Sequence, residues 1–250
     1  MDAEAVKSID ATVYLILEEI GLSQALVSGI EYMTGAGAVL GDIGWVRFPR
    51  ALVEDTLSKC ARNINLYGQN SKHDLLLSGS RVHYGTAGAA VHVVDVEKNE
   101  YREPYLADIY DAARIVDQMD NIHFFQRPMV ARDILNPADL DFNTVYASIK
   151  GTTKHVGCSF TEAEYMAPVF DMLHQVAGSE EKWRARPFVS NSNCFVVPPL
   201  RLQPSPALLW KKRLVMACRF YYYRLVRLAR LPRLVLPALL HKLYRKLLQV

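Results

Sequence analysis

The stretch Tyr105–Cys158, YLADIYDAARIVDQMDNIHFFQRPMVARDILNPADLDFNTVYASIKGTTKHVGC, decides the fold class. Leu106, Ile109, Ala113, Val116 and Met119 recur three to four residues apart, the period of a helix with one apolar face. Ile122–Phe125 then reads as a short apolar strand. Leu135–Ile149 is again helical, and Thr153–Cys158 again strand-like. Toward the C-terminus the alternation continues. Thr161 and Glu164 form a capping-box pair opening a helix with Met166, Phe170, Leu173 and Val176 inward, and Pro168 falls early enough in it to be tolerated. A third strand follows at Phe188–Ser190. The strand starts, near residues 121, 153 and 187, lie about 32 and 34 residues apart. Units of such regular length predict an α/β fold, a parallel sheet with crossover helices, either open or closed into a barrel. A barrel takes eight units in roughly 250 residues. Here three units occupy about 80 residues before the pattern stops, so a closed form of this sheet is partial.

Toward the N-terminus the texture changes. Ile9, Val13, Ile16, Leu17 and Ile20 share a helical face that Gly21 terminates. A Gly-rich turn from Thr34 to Gly44 leads to a second amphipathic segment carrying Leu52, Leu57, Cys60, Ala61 and Ile64. Leu75–Leu77, Val82–Tyr84 and Val91–Val96 are β-type runs, with Glu97-Lys98-Asn99 as a hairpin tip. Residues 75–104 are thus expected to form a small β meander. The domain plan is N-terminal helices and β insertion over 1–104, the first βα units over 105–200, and a basic tail over 201–250.

Composition supports a globular body. Half of the residues are apolar and 22% charged. The net charge of +3 conceals two populations: twelve Lys/Arg and no Asp or Glu from Arg201 onward, against 17 basic and 26 acidic residues before it. Cys60, Cys158, Cys194 and Cys218 form no CxxC pair, which suits reduced thiols in a cytoplasmic protein. The opening MDAEAVKSID lacks the basic and apolar regions of a signal peptide, and no apolar run reaches the ~18–20 residues needed to span a bilayer.

Four runs carry a resemblance: SGSRVHYGTAGAAVHVVD (Ser78–Asp95), YLADIYDAARIVDQMDNIHFFQRPMVARDI (Tyr105–Ile134), TTKHVGCSFT (Thr152–Thr161) and RPFVSNSNCFVVPPLR (Arg186–Arg201). Together they resemble the trimethylamine methyltransferase family across nearly all of residues 1–201, in order and without large gaps. The resemblance implies a (β/α)8 TIM-type barrel preceded by helices and a β insertion. It implies methyl transfer from trimethylamine, or from a related methylated or quaternary amine such as glycine betaine, to a partner corrinoid protein. The corrinoid's cobalt is the methyl acceptor and no cofactor is bound directly. In one branch of the family a pyrrolysine in the later half of the barrel engages the amine, and no residue of this chain reaches that position. The full-length protein is expected to be a homo-oligomer, with neither nucleic acid nor membrane among its partners, while the chain as it stands is expected to be truncated and inactive.

The tail breaks from this pattern. Arg224, Arg227, Arg230 and Arg233 recur every third residue, but Pro232 and Pro237 interrupt any helix. A shifted reading frame accounts for the missing acids: codons exist for Cys218–Leu234 whose neighbouring frame reads as an apolar strand followed by a Gly/Ala loop. The alternative is a native interaction module whose basic tail binds an acidic partner or membrane surface.

Chemistry in parallel barrels collects where strands end, on the C-terminal face. That rule nominates Gln126, His155 and Asn191 as polar lining, and Phe124 and Phe125, with Phe160, as aromatic faces for a methylated ammonium. The bland alternative is that the aromatics are core and that Arg127 pairs with Asp133. Catalytic residues are expected beyond the chain. No metal is expected, since His155 and Cys158 are two zinc-type ligands without a third. The Gly85-Thr86-Ala87-Gly88 loop leads into a strand rather than a helix, so it reads as a turn or a close backbone approach rather than a phosphate cradle. His73, His83 and His92 read as structural or exposed, and Asp108, Asp111, Asp117 and Asp120 as the solvated side of one helix.

Overall fold

A computed structural model describes residues 2–191 and 196–202, which fall into two compact units divided between Ala61 and Arg62. The β structure expected over residues 75–104 therefore shares a unit with the parallel sheet. The tail lies outside the described residues from position 203 onward.

The first unit opens with α1 (Ala3–Leu15), capped by the Asp2 carboxylate accepting from the Ala5 amide at 2.7 Å. Its last turn widens to π geometry over Ile16–Ile20 and stops at Gly21, φ 82°. Glycine is required there: a Cβ would sit 2.1 Å from the Val46 carbonyl oxygen. A helix not expected from the sequence, α2 (Val27–Gly35), precedes the Gly-rich segment, which carries the turn of the hairpin of β1 (Val39–Leu40) and β2 (Val46–Arg47). The next helix, α3 (Arg50–Ser58), ends earlier than the apolar spacing suggests. Tyr14, Leu17, Leu22, Met33, Val46, Phe48 and Val53 form the interior of this unit.

In the second unit, Ile64 begins a strand rather than ending a helix. β3 (Ile64–Leu66) pairs antiparallel with β4 (Leu75–Leu77), and β5 (Val93–Asp95) pairs with β6 (Glu100–Arg102). The expected meander is thus two separate hairpins, because β4 takes its partner from upstream instead of from β5. The tip of the second hairpin is as expected: Asp95 Oδ1 accepts from the Glu97 and Lys98 amides, and Asn99 adopts φ 53°.

The alternation expected after Pro104 is present throughout. Helix α4 (Leu106–Asp117), strand β7 (Phe124–Gln126), helix α5 (Pro137–Gly151), strand β8 (His155–Cys158), helices α6 (Met166–Ala177) and α7 (Glu180–Ala185) and strand β9 (Val189–Asn191) follow one another. The three strands form one parallel sheet in the order β7-β8-β9, with Gln126 level with Gly157 and Gly157 level with Ser190. The short strands β10 (Val196–Val197) and β11 (Arg201–Leu202) pair antiparallel in the first unit.

Apolar burial drives this layer. Phe125, Val156 and Val189 from the sheet, and Ile109, Ala113, Val145, Val169 and Leu173 from the helices, are buried. Each of these side chains except the single methyl of Ala113 contributes about 1.5–3 kcal/mol. The helices α4 and α5 pack closely because position 151 is glycine, where a Cβ would stand 2.6 Å from that of Ala113. Polar anchors fix the ends. Lys154, itself buried, donates from Nζ to the Val116, Met119 and Ile122 carbonyls at 2.7, 2.5 and 2.7 Å. The ammonium thus gathers carbonyls from the end of α4 and the turn after it, adding to the backbone N–H donors that Val116 and Met119 already have. Asp117 accepts from the Thr152 hydroxyl and the Thr153 amide at 2.8 and 2.7 Å, and Asp108 takes a bidentate pair from Arg102 at 2.7 and 2.8 Å. Both aspartates are structural, not the solvated face that helical spacing suggests. These contacts set α4's C-terminus beside the start of β8 and leave the strand ends at the opposite edge of the sheet.

Candidate functional site

Alternation along the strands sorts the nominated residues by face. Cys158 faces the helices, its thiol hydrogen-bonded to Ser148 of α5, and burial pushes its pKa up to about 12. Phe125 and Val156 share that face, and Phe125 is entirely buried. On the opposite face lie Phe124, Gln126, His155, Gly157 and Ser190.

His155 stands at the start of β8, not its end. Its Nδ1 lies 2.8 Å from the Tyr67 carbonyl and its Nε2 3.0 Å from the Ser190 hydroxyl. A carbonyl only accepts, so Nδ1 carries the proton and Nε2 receives the Ser190 O–H. Burial pushes this ring down to about 4, so it is neutral at pH 7. His155 and Cys158 face opposite sides of one strand, which prevents them from sharing a metal ion. Among the described residues no three His, Cys, Asp or Glu side chains gather into a metal site.

Phe124 also stands at a strand start. Its ring packs on Leu66 and Leu75 and fills the space beside Gly85, where a Cβ would lie 2.1 Å from the ring. The close-approach reading of the Gly85–Gly88 loop describes this contact. Phe160, in the loop after β8, is buried.

Gln126 and Asn191 do reach strand ends. Gln126 closes β7 on the face away from the helices, with Oε1 buried and unpartnered among the described residues. Asn191 closes β9 level with Cys158, which puts its side chain on the helix side of the sheet and not on Gln126's face; it is 7% exposed, and neither atom of its amide has a partner among the described residues. Buried polar groups are ordinarily satisfied, so unsatisfied ones at strand ends are where a ligand is sought.

Around this edge the sequence gives less warning. Arg127 donates from Nη2 to the Ser159 hydroxyl at 3.2 Å and from its backbone N–H to the Gly157 carbonyl at 2.9 Å. It does not pair with Asp133, whose carboxylate accepts from the Leu106 amide at 3.0 Å and caps α4. Thr161 is no helix cap either. Its amide and hydroxyl donate to the buried Asp141 carboxylate at 2.7 and 3.1 Å, tying the loop after β8 to α5. Burial raises the Asp141 carboxyl above its ordinary range, opposed by the Thr161 hydrogen bonds and the Arg127 charge.

Comparison with known proteins places these features in context. The family model described as Trimethylamine methyltransferase (MTTB) matches residues 1–208. The Trimethylamine methyltransferase MttB of Desulfitobacterium hafniense is 29% identical over 196 residues, which cover 78% of this chain and 39% of that protein. Trimethylamine methyltransferase MttB1 of Methanosarcina mazei is 26% identical over 159 residues, 61% of this chain and 32% of that protein. The MttB of Methanosarcina thermophila is 26% identical over 157 residues, with the same shares covered. The chain therefore spans well under half the length of these curated relatives.

Proposed function

The chain belongs to the trimethylamine methyltransferase family, and on that premise we propose that it forms the amine-binding first part of an enzyme that passes a methyl group from a methylated amine to a corrinoid protein. The observation that carries this reading is Gln126, whose amide oxygen is buried without a partner among the described residues at the C-terminal end of a parallel strand. The three parallel strands in sequential order, with helices between them, are the expected beginning of a (β/α)8 barrel, and Gln126 then faces its interior.

In this reading the residues bind and orient. Gln126 Oε1 is an acceptor for an ammonium N–H or for the polarised methyl groups of an alkylated nitrogen. Asn191, at the end of β9, is level with Cys158 and faces the helix side of the sheet, away from this site. His155, Phe124 and Phe125 hold the sheet that presents Gln126. The partner's cobalt(I) supplies the nucleophile, and the protein's contribution is to place the amine and exclude water. Transfer requires the remaining length of the barrel, so the 250-residue chain alone binds amine without turnover.

The test is an NMR titration of the chain with trimethylamine and with tetramethylammonium. The side-chain NH2 resonances of Gln126 are expected to shift in a saturable way. Binding that leaves them unmoved, or the absence of any binding by the folded chain, rejects the reading.

A further inference from the structure

Strand β7 lies at one end of the parallel sheet, and its outer edge is occupied. The His123 amide donates to the Tyr84 carbonyl at 2.7 Å, and Gly85 forms a parallel bridge with Phe124. Further along, the Ala90 amide donates to the Pro128 carbonyl at 3.0 Å and the Val130 amide to the Ala90 carbonyl at 3.1 Å, making a second parallel bridge between Ala90 and Met129. Residues 84–90 thus run alongside β7 in the same direction and past its end. Helix α4 then returns the chain to β7, so the segment, α4 and β7 make a βαβ crossover of the same kind as the later ones.

Between the two bridges the pairing is made by one side chain. The Thr86 hydroxyl accepts from the Gln126 amide at 2.9 Å and donates to the Gln126 carbonyl at 2.6 Å. A single O–H therefore satisfies both backbone groups that β7 turns outward at its last residue. The close approach depends on Gly85, because any side chain there meets the Phe124 ring.

We propose that residues 84–90 are an additional parallel strand of this sheet, and that Thr86 is a positioning residue that fixes Gln126 at the strand end for amine binding. The second half of the proposal rests on the reading of Gln126 given above. Without the clasp, the last residue of a three-residue strand has no outer partner, and its side chain loses a fixed origin. Hydroxyl chemistry is the requirement: serine reproduces it, whereas valine keeps the shape and removes both hydrogen bonds.

The experiment compares the 250-residue chain with its Thr86→Val, Thr86→Ser and Gln126→Leu variants. Amide hydrogen exchange at Gln126 and the affinity for tetramethylammonium are measured on each. Thr86→Val is expected to speed exchange at the Gln126 amide by about tenfold, as expected for losing the one bond that holds this N–H, and to weaken amine binding by a similar factor. Thr86→Ser restores both, and Gln126→Leu weakens binding alone. Unchanged exchange at Gln126 in Thr86→Val overturns the clasp. Faster exchange with unaltered amine affinity overturns the positioning role. A wild-type chain that binds no amine overturns the functional reading instead, and the exchange data then judge the added strand by themselves. Should Thr86→Val fail to fold, Thr86→Ala and Thr86→Ser carry the same comparison.

Discussion

Acidifying the protein tests the placement of His155 through stability. The ring is fully buried, gives its one proton to the Tyr67 carbonyl and receives the Ser190 hydroxyl on its other nitrogen. Burial holds its folded pKa at about 4, below the ordinary 6.5. As pH falls below about 6.5 the unfolded chain takes up a proton that the folded chain refuses, so stability drains away until about pH 4 and then levels off. A gap of roughly 2.5 pH units at 1.36 kcal/mol each comes to about 3 kcal/mol, or on the order of 10 °C in melting temperature for a unit of this size. Asp141 works in the opposite direction, since its burial-raised pKa favours the fold on acidification. The comparison is therefore between wild type and His155→Asn, whose amide nitrogen can replace the Nδ1–H donor. Urea melts from pH 7.5 to 4 should show the variant weaker at neutral pH and the gap narrowing by about 3 kcal/mol at pH 4. Parallel pH profiles for the two proteins, or a His155 ring that titrates near 6.5 by NMR in the folded state, would refute the reasoning.

Other outcomes follow from the same contacts. Lys154→Met removes the ammonium from the Val116, Met119 and Ile122 carbonyls, of which the first two keep a backbone N–H donor, and should cost about 1–3 kcal/mol in a urea melt. Gly151→Ala forces a Cβ to within 2.6 Å of Ala113 and 2.7 Å of the Tyr110 carbonyl, so α4 and α5 must separate, at a cost of about 1–3 kcal/mol by thermal melt. Gln126→Leu should weaken amine binding while leaving stability equal or higher, because it removes a buried oxygen that has no partner among the described residues. Cys158, its pKa pushed up to about 12, should resist iodoacetamide at pH 8 in the native protein and react on unfolding, as read by mass spectrometry of its peptide.

The helices and strands after Pro104 were legible because apolar spacing and burial coincide there: Ile109, Ala113 and Val116 are both periodic and buried. Pairing was less legible. Nothing local indicates that Leu75–Leu77 pairs with Ile64–Leu66, and Ile64 fits a helical spacing as well as a strand. Helix α2 was hidden by Gly29 and Gly35, whose low propensity tertiary packing overrides. At the candidate site, the rule that chemistry gathers at strand ends picked out Gln126 and Asn191. It also picked out His155, because a strand's existence is easier to read than its first residue. The run Thr152-Thr153-Lys154-His155 looks like a site in sequence, yet each polar group serves as an anchor: the threonines bond Asp117, the lysine ends α4 and the histidine bonds Tyr67 and Ser190. Such roles depend on groups 32 to 88 residues away, which no spacing pattern encodes.

The central claim, that these residues form the amine-binding part of a methyl-transferring barrel, is tested most directly by restoring the rest of the barrel. Residues 1–191 are joined to the C-terminal remainder of the Desulfitobacterium hafniense relative, and the folded hybrid is mixed with a reduced corrinoid protein and trimethylamine. The account predicts amine-dependent loss of the cobalt(I) absorbance, slowed by Gln126→Leu. A cooperatively folded hybrid that leaves cobalt(I) unchanged with trimethylamine and with quaternary amines would contradict it.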